Sequence, residues 1–144
     1  MAIKQISVFL ENQPGKLAEL AAVLSEQKIN LRAISVAEAS DFGIVRIIVD
    51  DVFNAVTILK SERYICTITD VLAVEVQDEP GMLANMISIL GAEGINIEYM
   101  YTILGKKKAV AYMIIRTNAD AKAAKLLEAK GFKLASQEAL SESK

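Results

Sequence analysis

Side chains able to do acid–base or nucleophilic chemistry are few and poorly placed in this chain of 144 residues. Histidine is absent, which removes the commonest general acid–base group and the commonest metal ligand. The single cysteine, Cys66, has no histidine to activate it and no companions with which to hold zinc. It lies in the strand-like run "RYICTIT", where a structural thiol is the simpler reading. Carboxylates occur as sequence neighbours, Asp50 with Asp51 and Asp78 with Glu79, without a complementary acid or base. "GAEGIN", Gly91 to Asn96, closes a helix-like run where a dinucleotide fingerprint would open one. The expectation is therefore no catalytic site, no metal, no cofactor and no enzyme activity.

A binding chemistry remains. The stretch "LENQPGKLAEL" carries Asn12, Gln13, Pro14 and Gly15, and "VQDEPGMLANM" carries Asp78, Glu79, Pro80 and Gly81. Each joins a strand-like run to a helix-like one. Proline is accepted in a first helical turn because its missing N–H has no intrahelical partner there. Glycine leaves room for something to approach the backbone. The other first-turn amides and the helix dipole attract a carboxylate, and the polar side chains upstream could hold an ammonium group. Together they suit a free amino acid. The competing reading is that polar-Pro-Gly is simply a good way to start a helix.

The elements that must position these loops also occur twice. Shifting the chain by 66 aligns Pro14 with Pro80, Gly15 with Gly81, Leu17 with Leu83, Leu24 with Leu90, and "KINL" with "GINI". The same ungapped register sets Ile48 on Ile114, Ala55 on Ala121 and Glu62 on Glu128. Each copy reads strand, helix, strand, strand, helix, strand. Ile6, Val8 and Leu10 alternate as in a half-buried strand, and Leu17, Leu20, Ala21 and Leu24 form one helical apolar stripe. Copy two repeats these as Leu72/Val74/Val76 and Leu83/Met86/Ile87/Leu90. Asp51 and Asn118 are the expected caps of the second helix in each copy, and Gly131 suits the end of the last.

The order βαββαβ is the ferredoxin-like plan. The fold class is α+β: two such units packed side by side, antiparallel sheets with helices on one face, in a continuous sheet of about eight strands. Residues 1–69 and 70–136 form the units, and 137–144 a frayed tail with little to bury. Tyr99, Tyr101, Tyr112 and Phe9 fall on the sheet face away from the helices, as a partner surface or as ordinary cross-strand packing.

Bulk properties narrow the partners. Net charge is −2 and apolar residues make up 53%, so no nucleic acid or anionic membrane is expected. The sole basic run, "GKKKA" at Gly105 to Ala109, reads as a solvated hairpin tip. The longest apolar run, Ala109 to Ile115, is far short of the roughly 20 residues of a membrane span. No signal-peptide pattern opens the chain, and one cysteine fits a reducing compartment, so the expected location is cytoplasmic.

The Asn/Asp-x-Pro-Gly-x-Leu loop, the helix after it, the "INL/INI" entry to the second strand and the element order together resemble the ACT domain, twice over. The resemblance implies an allosteric regulatory module that binds an amino acid and pairs with another ACT unit. Its ligands lie where the Pro-Gly loop of one unit faces the second strand of its neighbour. Carried over by position, the ligand-binding residues are Asn12, Gln13, Pro14, Gly15 and Leu17 with Asp78, Glu79, Pro80, Gly81 and Leu83. The facing positions are Asn30 and Leu31 with Asn96 and Ile97. Leu17, Leu83, Leu31 and Ile97 also read as core, and Asn30 and Asn96 as turn residues. An amide-rich first loop and an acidic second one imply unequal binding. The expected partners are a free amino acid as effector, a second copy in a homodimer, and an amino-acid-metabolic enzyme. The alternative function is a regulatory subunit acting mainly through protein–protein contacts.

Overall fold

The computed structural model describes residues 2–39, 41–77, 79–104 and 110–142. The run at 105–109 and Asp78 lie outside the described residues. The chain divides into two compact units, Lys4–Thr69 and Asp70–Lys144, with the first three residues grouped with the latter instead of opening the expected 1–69 unit. The first holds β1 (Ile3–Glu11), α1 (Lys16–Glu26), β2 (Leu31–Ala39), β3 (Phe42–Val49) and α2 (Val52–Ser61). β4 (Ile65–Gln77) spans the boundary. The second unit continues with α3 (Met82–Ala92), β5 (Ile97–Leu104), β6 (Val110–Thr117), α4 (Asp120–Ala129), β7 (Lys133–Leu134) and α5 (Gln137–Glu142). Two strands were expected on either side of Thr69, but nothing in "TITDVL" breaks an extended backbone, and one 13-residue strand results.

Both units are antiparallel βαββαβ folds. In the first, β3 lies between β1 and β2, with Ile6 opposite Ile47 and Ile34 opposite Ile47 on the other side. In the second, β6 lies between β4 and β5 and β7 flanks β4, giving the order β7-β4-β6-β5. The helix-facing residues of each sheet close a separate core. Ile6, Val8, Val45 and Ile47 pack with Leu20, Leu24, Ala55 and Leu59 in the first unit. Leu72, Val74, Met113 and Ile115 pack with Met86, Leu90, Ala123 and Leu127 in the second.

These cores correct the ungapped repeat. Ile6 and Leu72 are equivalent at a shift of 66, but their partners Ile47 and Ile115 are 68 apart. The β5–β6 hairpin is therefore two residues longer than the β2–β3 hairpin, and Ala55 corresponds to Ala123 instead of Ala121. An even insertion is what the sheet tolerates, because an odd one would turn the core face of β6 outward.

Three further expectations change. The α1 stripe buries only Leu20 and Leu24, while Leu17 stays 41% exposed; in α3, Met86 and Leu90 are buried and Leu83 stays 44% exposed. The i, i+4 row faces the sheet, and the residue one turn earlier overhangs the edge strand. Asp51 caps α2 as expected, accepting from the Asn54 amide at 3.1 Å. Asn118 does not cap α4: that helix begins at Asp120, whose Oδ1 accepts from the Thr117 amide (2.8 Å) and hydroxyl (2.7 Å). Residues 137–142, expected as a frayed tail, form α5, with Ser136 Oγ accepting from the Ala139 amide and Leu140 only 1% exposed.

The alternation of the open sheet face holds. Glu75 pairs with Tyr112, Tyr101 with Ile114 and Tyr99 with Arg116, all opposite the helix-facing residues. The tyrosines there are half-buried, beside fully buried Ala73 and Ile114. Burial, with Glu75 nearby, pushes the Tyr112 phenol above its ordinary pKa. Gly131 at φ +91° ends α4 as expected.

Candidate functional site

The Pro-Gly loops have one geometry in both units. The Lys16 amide donates to Gln13 O (3.3 Å), and the Met82 amide to Glu79 O (3.2 Å), closing four-residue turns around Pro14-Gly15 and Pro80-Gly81. Gly15 has φ 90° and ψ −17°, and Gly81 φ 89° and ψ −12°. These are the angles of the third residue of a type II turn, which favours proline before it and glycine at it. Proline thus sits one residue before the glycine N-cap, not inside the helix as expected. A Cβ on either glycine would meet nothing within 4 Å. Glycine is required there by the left-handed backbone, and the space in front of it is open.

Among the described residues no side chain caps α1 or α3, so the first-turn amides beyond those of Lys16 and Met82 are left to solvent or to a ligand. Asn12, Gln13, Pro14, Gly15, Glu79, Pro80 and Gly81 are all exposed, and so are Leu17 and Leu83. The first loop borders a cavity of about 340 Å³ whose charged lining includes Lys16, Arg63, Glu19 and Glu62 over Phe9 and Tyr64. Burial, then Glu19 and Glu62, raises the Tyr64 phenol.

The facing positions are held differently. Asn30 Nδ2 donates to Asp50 Oδ2 at 2.7 Å, and Arg32 grips Asp50 through Nε and Nη2, both at 2.8 Å. The pair is 13% and 23% exposed at its side chains, and the Asp50 hydrogen bond raises the Arg32 pKa further. Asn30 is thereby committed to joining the start of β2 to the end of β3. In the second unit the Asn96 amide donates to Asn118 Oδ1 (3.0 Å) and the Asn118 amide to Asn96 O (3.1 Å), a neutral version of the same tie. Leu31 is exposed and Ile97 packs at the core margin.

Within one unit the loop and the facing positions are not brought together. Glu11, just before the first loop, pairs with Phe42, whereas Leu31 pairs with Val49 at the other end of β3. Seven strand steps separate these ends, roughly 24 Å. Sequence reading missed Arg32, with Asp50 as its partner. Arg32 lies two residues after Asn30 and was the one legible hint, since an arginine in an apolar strand needs a partner. Cys66 is half-buried, and burial raises its pKa, so it does not carry a reactive thiolate at neutral pH. Among the described residues no group of acidic or cysteine side chains could hold a metal ion, and no helix is long and apolar enough to cross a membrane.

A family model described as an ACT domain pair matches residues 1–143. A crystal structure of a protein from Bacteroides thetaiotaomicron is 40% identical, with a TM-score of 0.89 over 97% of this chain and 96% of that one. The ligand-free regulatory subunit of aspartate kinase from Thermus thermophilus matches at 19% identity and TM-score 0.63, covering 88% of this chain and 90% of its own. The corresponding subunit from Thermus flavus matches at 18% identity and TM-score 0.61 with the same coverage. These two likenesses concern the fold. No curated protein matched.

Proposed function

The chain belongs to the family of ACT domain pairs, and from that premise we propose that it is a non-catalytic regulatory protein that senses a free amino acid at its Pro-Gly loops. The observation that carries this reading is the recurrence of one left-handed helix start without a side-chain cap, Gly15 and Gly81 at φ 90° and 89°, in both units. Its first-turn amides suit a carboxylate, and the side chains of Asn12 and Gln13 or Asp78 and Glu79 suit an ammonium. That the loop and Asn30/Leu31 stand at opposite ends of a unit's sheet supports a facing wall contributed by another ACT unit. Among the described residues the edge strands β2 and β5 each have one neighbour, and an open edge invites pairing. A homodimer is therefore part of the proposal, as is a cytoplasmic setting for a single-cysteine chain. An effector would act by binding one pairing state better than another.

A thermal-shift screen of the twenty amino acids tests this. A true effector at a hundred times its dissociation constant adds about 2.7 kcal/mol and raises Tm measurably. A flat screen would reject sensing. A second reading, a regulatory subunit of a separate amino-acid-biosynthetic enzyme, is favoured by the fold likeness to proteins described as aspartate kinase regulatory subunits. Co-purification with such an enzyme alongside a flat screen would select it.

A further inference from the structure

Besides β2 and β5, two stretches stand at a sheet edge among the described residues: β7 and the first half of β4. Residues 72–77 of β4 pair with β6, and Val74 and Glu75 also pair with β7. That leaves β1 as the only neighbour of residues 65–69 among the described residues. An open edge offers backbone N–H and C=O groups to any other strand, and proteins blunt such edges with charge, bulges or brevity. Three of these four are blunted. β2 is bulged between Leu31 and Ala33 and carries Arg32 and Glu38. β5 is bulged between Ile97 and Tyr99 and carries Glu98. β7 is two residues long, and one of them is Lys133. The fourth, "ICTIT", has no charge and no proline. Ile65 is 72% exposed, Ile68 39%, and Thr67 lies exposed between them.

The order of residues along this edge says what fits it. Antiparallel pairing about a two-fold axis at Thr67 sets Thr67 opposite itself, Cys66 opposite Ile68 and Ile65 opposite Thr69. Side chains alternate between the faces of a strand, and directly opposed residues share a face. Cys66 packs against the core of the first unit, so Cys66 and Ile68 meet on the helix side, and Ile65 and the threonines on the other. Such β-branched and threonine–threonine pairs are favourable cross-strand neighbours. Just beyond, Tyr64 falls opposite Asp70, and Arg63 lies within one strand step of that aspartate. Each end of the segment thus brings unlike charges together.

We infer that residues 65–69 are a self-pairing edge through which a second copy of this chain joins, antiparallel about Thr67, in a two-fold symmetric contact. The contact is separate from the β2 edge and does not depend on amino-acid sensing. The second unit has no counterpart: Phe132 follows its last long helix as Tyr64 follows α2, but the strand stops at Leu134 and α5 begins at Gln137.

A cysteine at the axis tests it. In Cys66→Ser/Thr67→Cys the introduced thiols stand directly opposite, with Cα atoms roughly 4.5–5.5 Å apart, inside the span of a disulfide. Oxidised glutathione should convert this variant to covalent dimers, and should not convert Cys66→Ser/Thr57→Cys, whose thiol is exposed on α2. Thr67→Lys sets like charges opposite each other and should raise the dimer dissociation constant, read by sedimentation equilibrium, at least about tenfold. Its far-ultraviolet circular dichroism should match wild type, because Thr67 is exposed. Ile34→Lys, on the β2 edge, should leave the cross-link in place when added to Cys66→Ser/Thr67→Cys. No cross-link beyond the Thr57→Cys control, or an unchanged dissociation constant in Thr67→Lys, would overturn the inference. A chain that stays monomeric at every concentration would overturn it as well. Association lost in Ile34→Lys but kept in Thr67→Lys would assign the contact to β2 instead. Thermal shifts with amino acids are read separately, so either failure leaves the sensing function standing.

Discussion

The two units share a backbone and differ in how their sequences satisfy it. Each first helix ends with the same bonds: Ile29 N to Leu24 O and Ile95 N to Leu90 O are both 3.0 Å. Each second helix does so too, through Tyr64 N to Leu59 O (2.9 Å) and Phe132 N to Leu127 O (3.0 Å). All four ends need a left-handed residue just after the cap. The second unit supplies Gly94 and Gly131, while the first forces Lys28 to φ 56° and Arg63 to φ 68°. The tie between the start of the second strand and the end of the third is likewise an ion pair, Arg32–Asp50, in the first unit and an uncharged Asn96–Asn118 clasp in the second. What is strictly repeated is the Pro-Gly turn. Divergence elsewhere shows that the fold accepts several solutions at these points, so the constancy of that turn calls for a reason of its own.

The sharpest way to break the comparison is at the two ties. Asp50→Ala leaves Arg32 partly buried without its carboxylate and should cost about 2–4 kcal/mol, whereas Asn118→Ala should cost about 1 kcal/mol. Hydrogen exchange resolved by unit would read both, and equal losses would show that the ion pair adds nothing over the neutral clasp. Next come the helix ends. Arg63→Gly and Lys28→Gly should each stabilise the first unit by about 0.5–1 kcal/mol, and Gly94→Ala should destabilise the second by about 1 kcal/mol. Urea midpoints that move in the same direction in all three would contradict the strain account.

The smallest expected effect is an alkaline one, and it should appear in both units. Tyr64 and Tyr112 have folded pKa values raised above the ordinary phenol value by burial and nearby glutamates. Their stabilisation is fully present below the unfolded pKa near 10 and fades as pH rises through the folded values. Ultraviolet titration, taken as the difference between wild type and the Tyr64→Phe and Tyr112→Phe variants, should find these phenols ionising later than a free tyrosine. Ionisation at the ordinary value would place them in water.

The element order, the helix–strand alternation and the two Pro-Gly turns were legible because each rests on local pattern: period two, period near 3.6, and a dipeptide with its own backbone preference. The two-residue offset was not, because the register of β6 is fixed by pairing with β4, and a long hairpin leaves no mark of its own length. Asn118 looked like a cap because asparagine before a helix usually is one, yet its carbonyl was needed by the Asn96 amide across the sheet. The tail looked empty because one leucine, Leu140, is a weak signal until a surface exists to bury it. Lys28 and Arg63 could not be read as left-handed, since residue type there argues against the conformation that packing imposes. Of the candidate site, the loops were found by type and spacing, and the Arg32–Asp50 tie was not, because its partners lie 18 residues apart.

The central claim is that the first-turn amides after Gly15 and Gly81 hold the carboxylate of a free amino acid. Amide-resolved NMR of the isotopically labelled chain, titrated with whichever amino acid raises Tm, addresses it directly. The account predicts saturable shifts at Gly15 to Ala18 and at Gly81 to Ala84, the two sets following different affinities. Saturable binding that moves other residues while both turns stay unperturbed would contradict it.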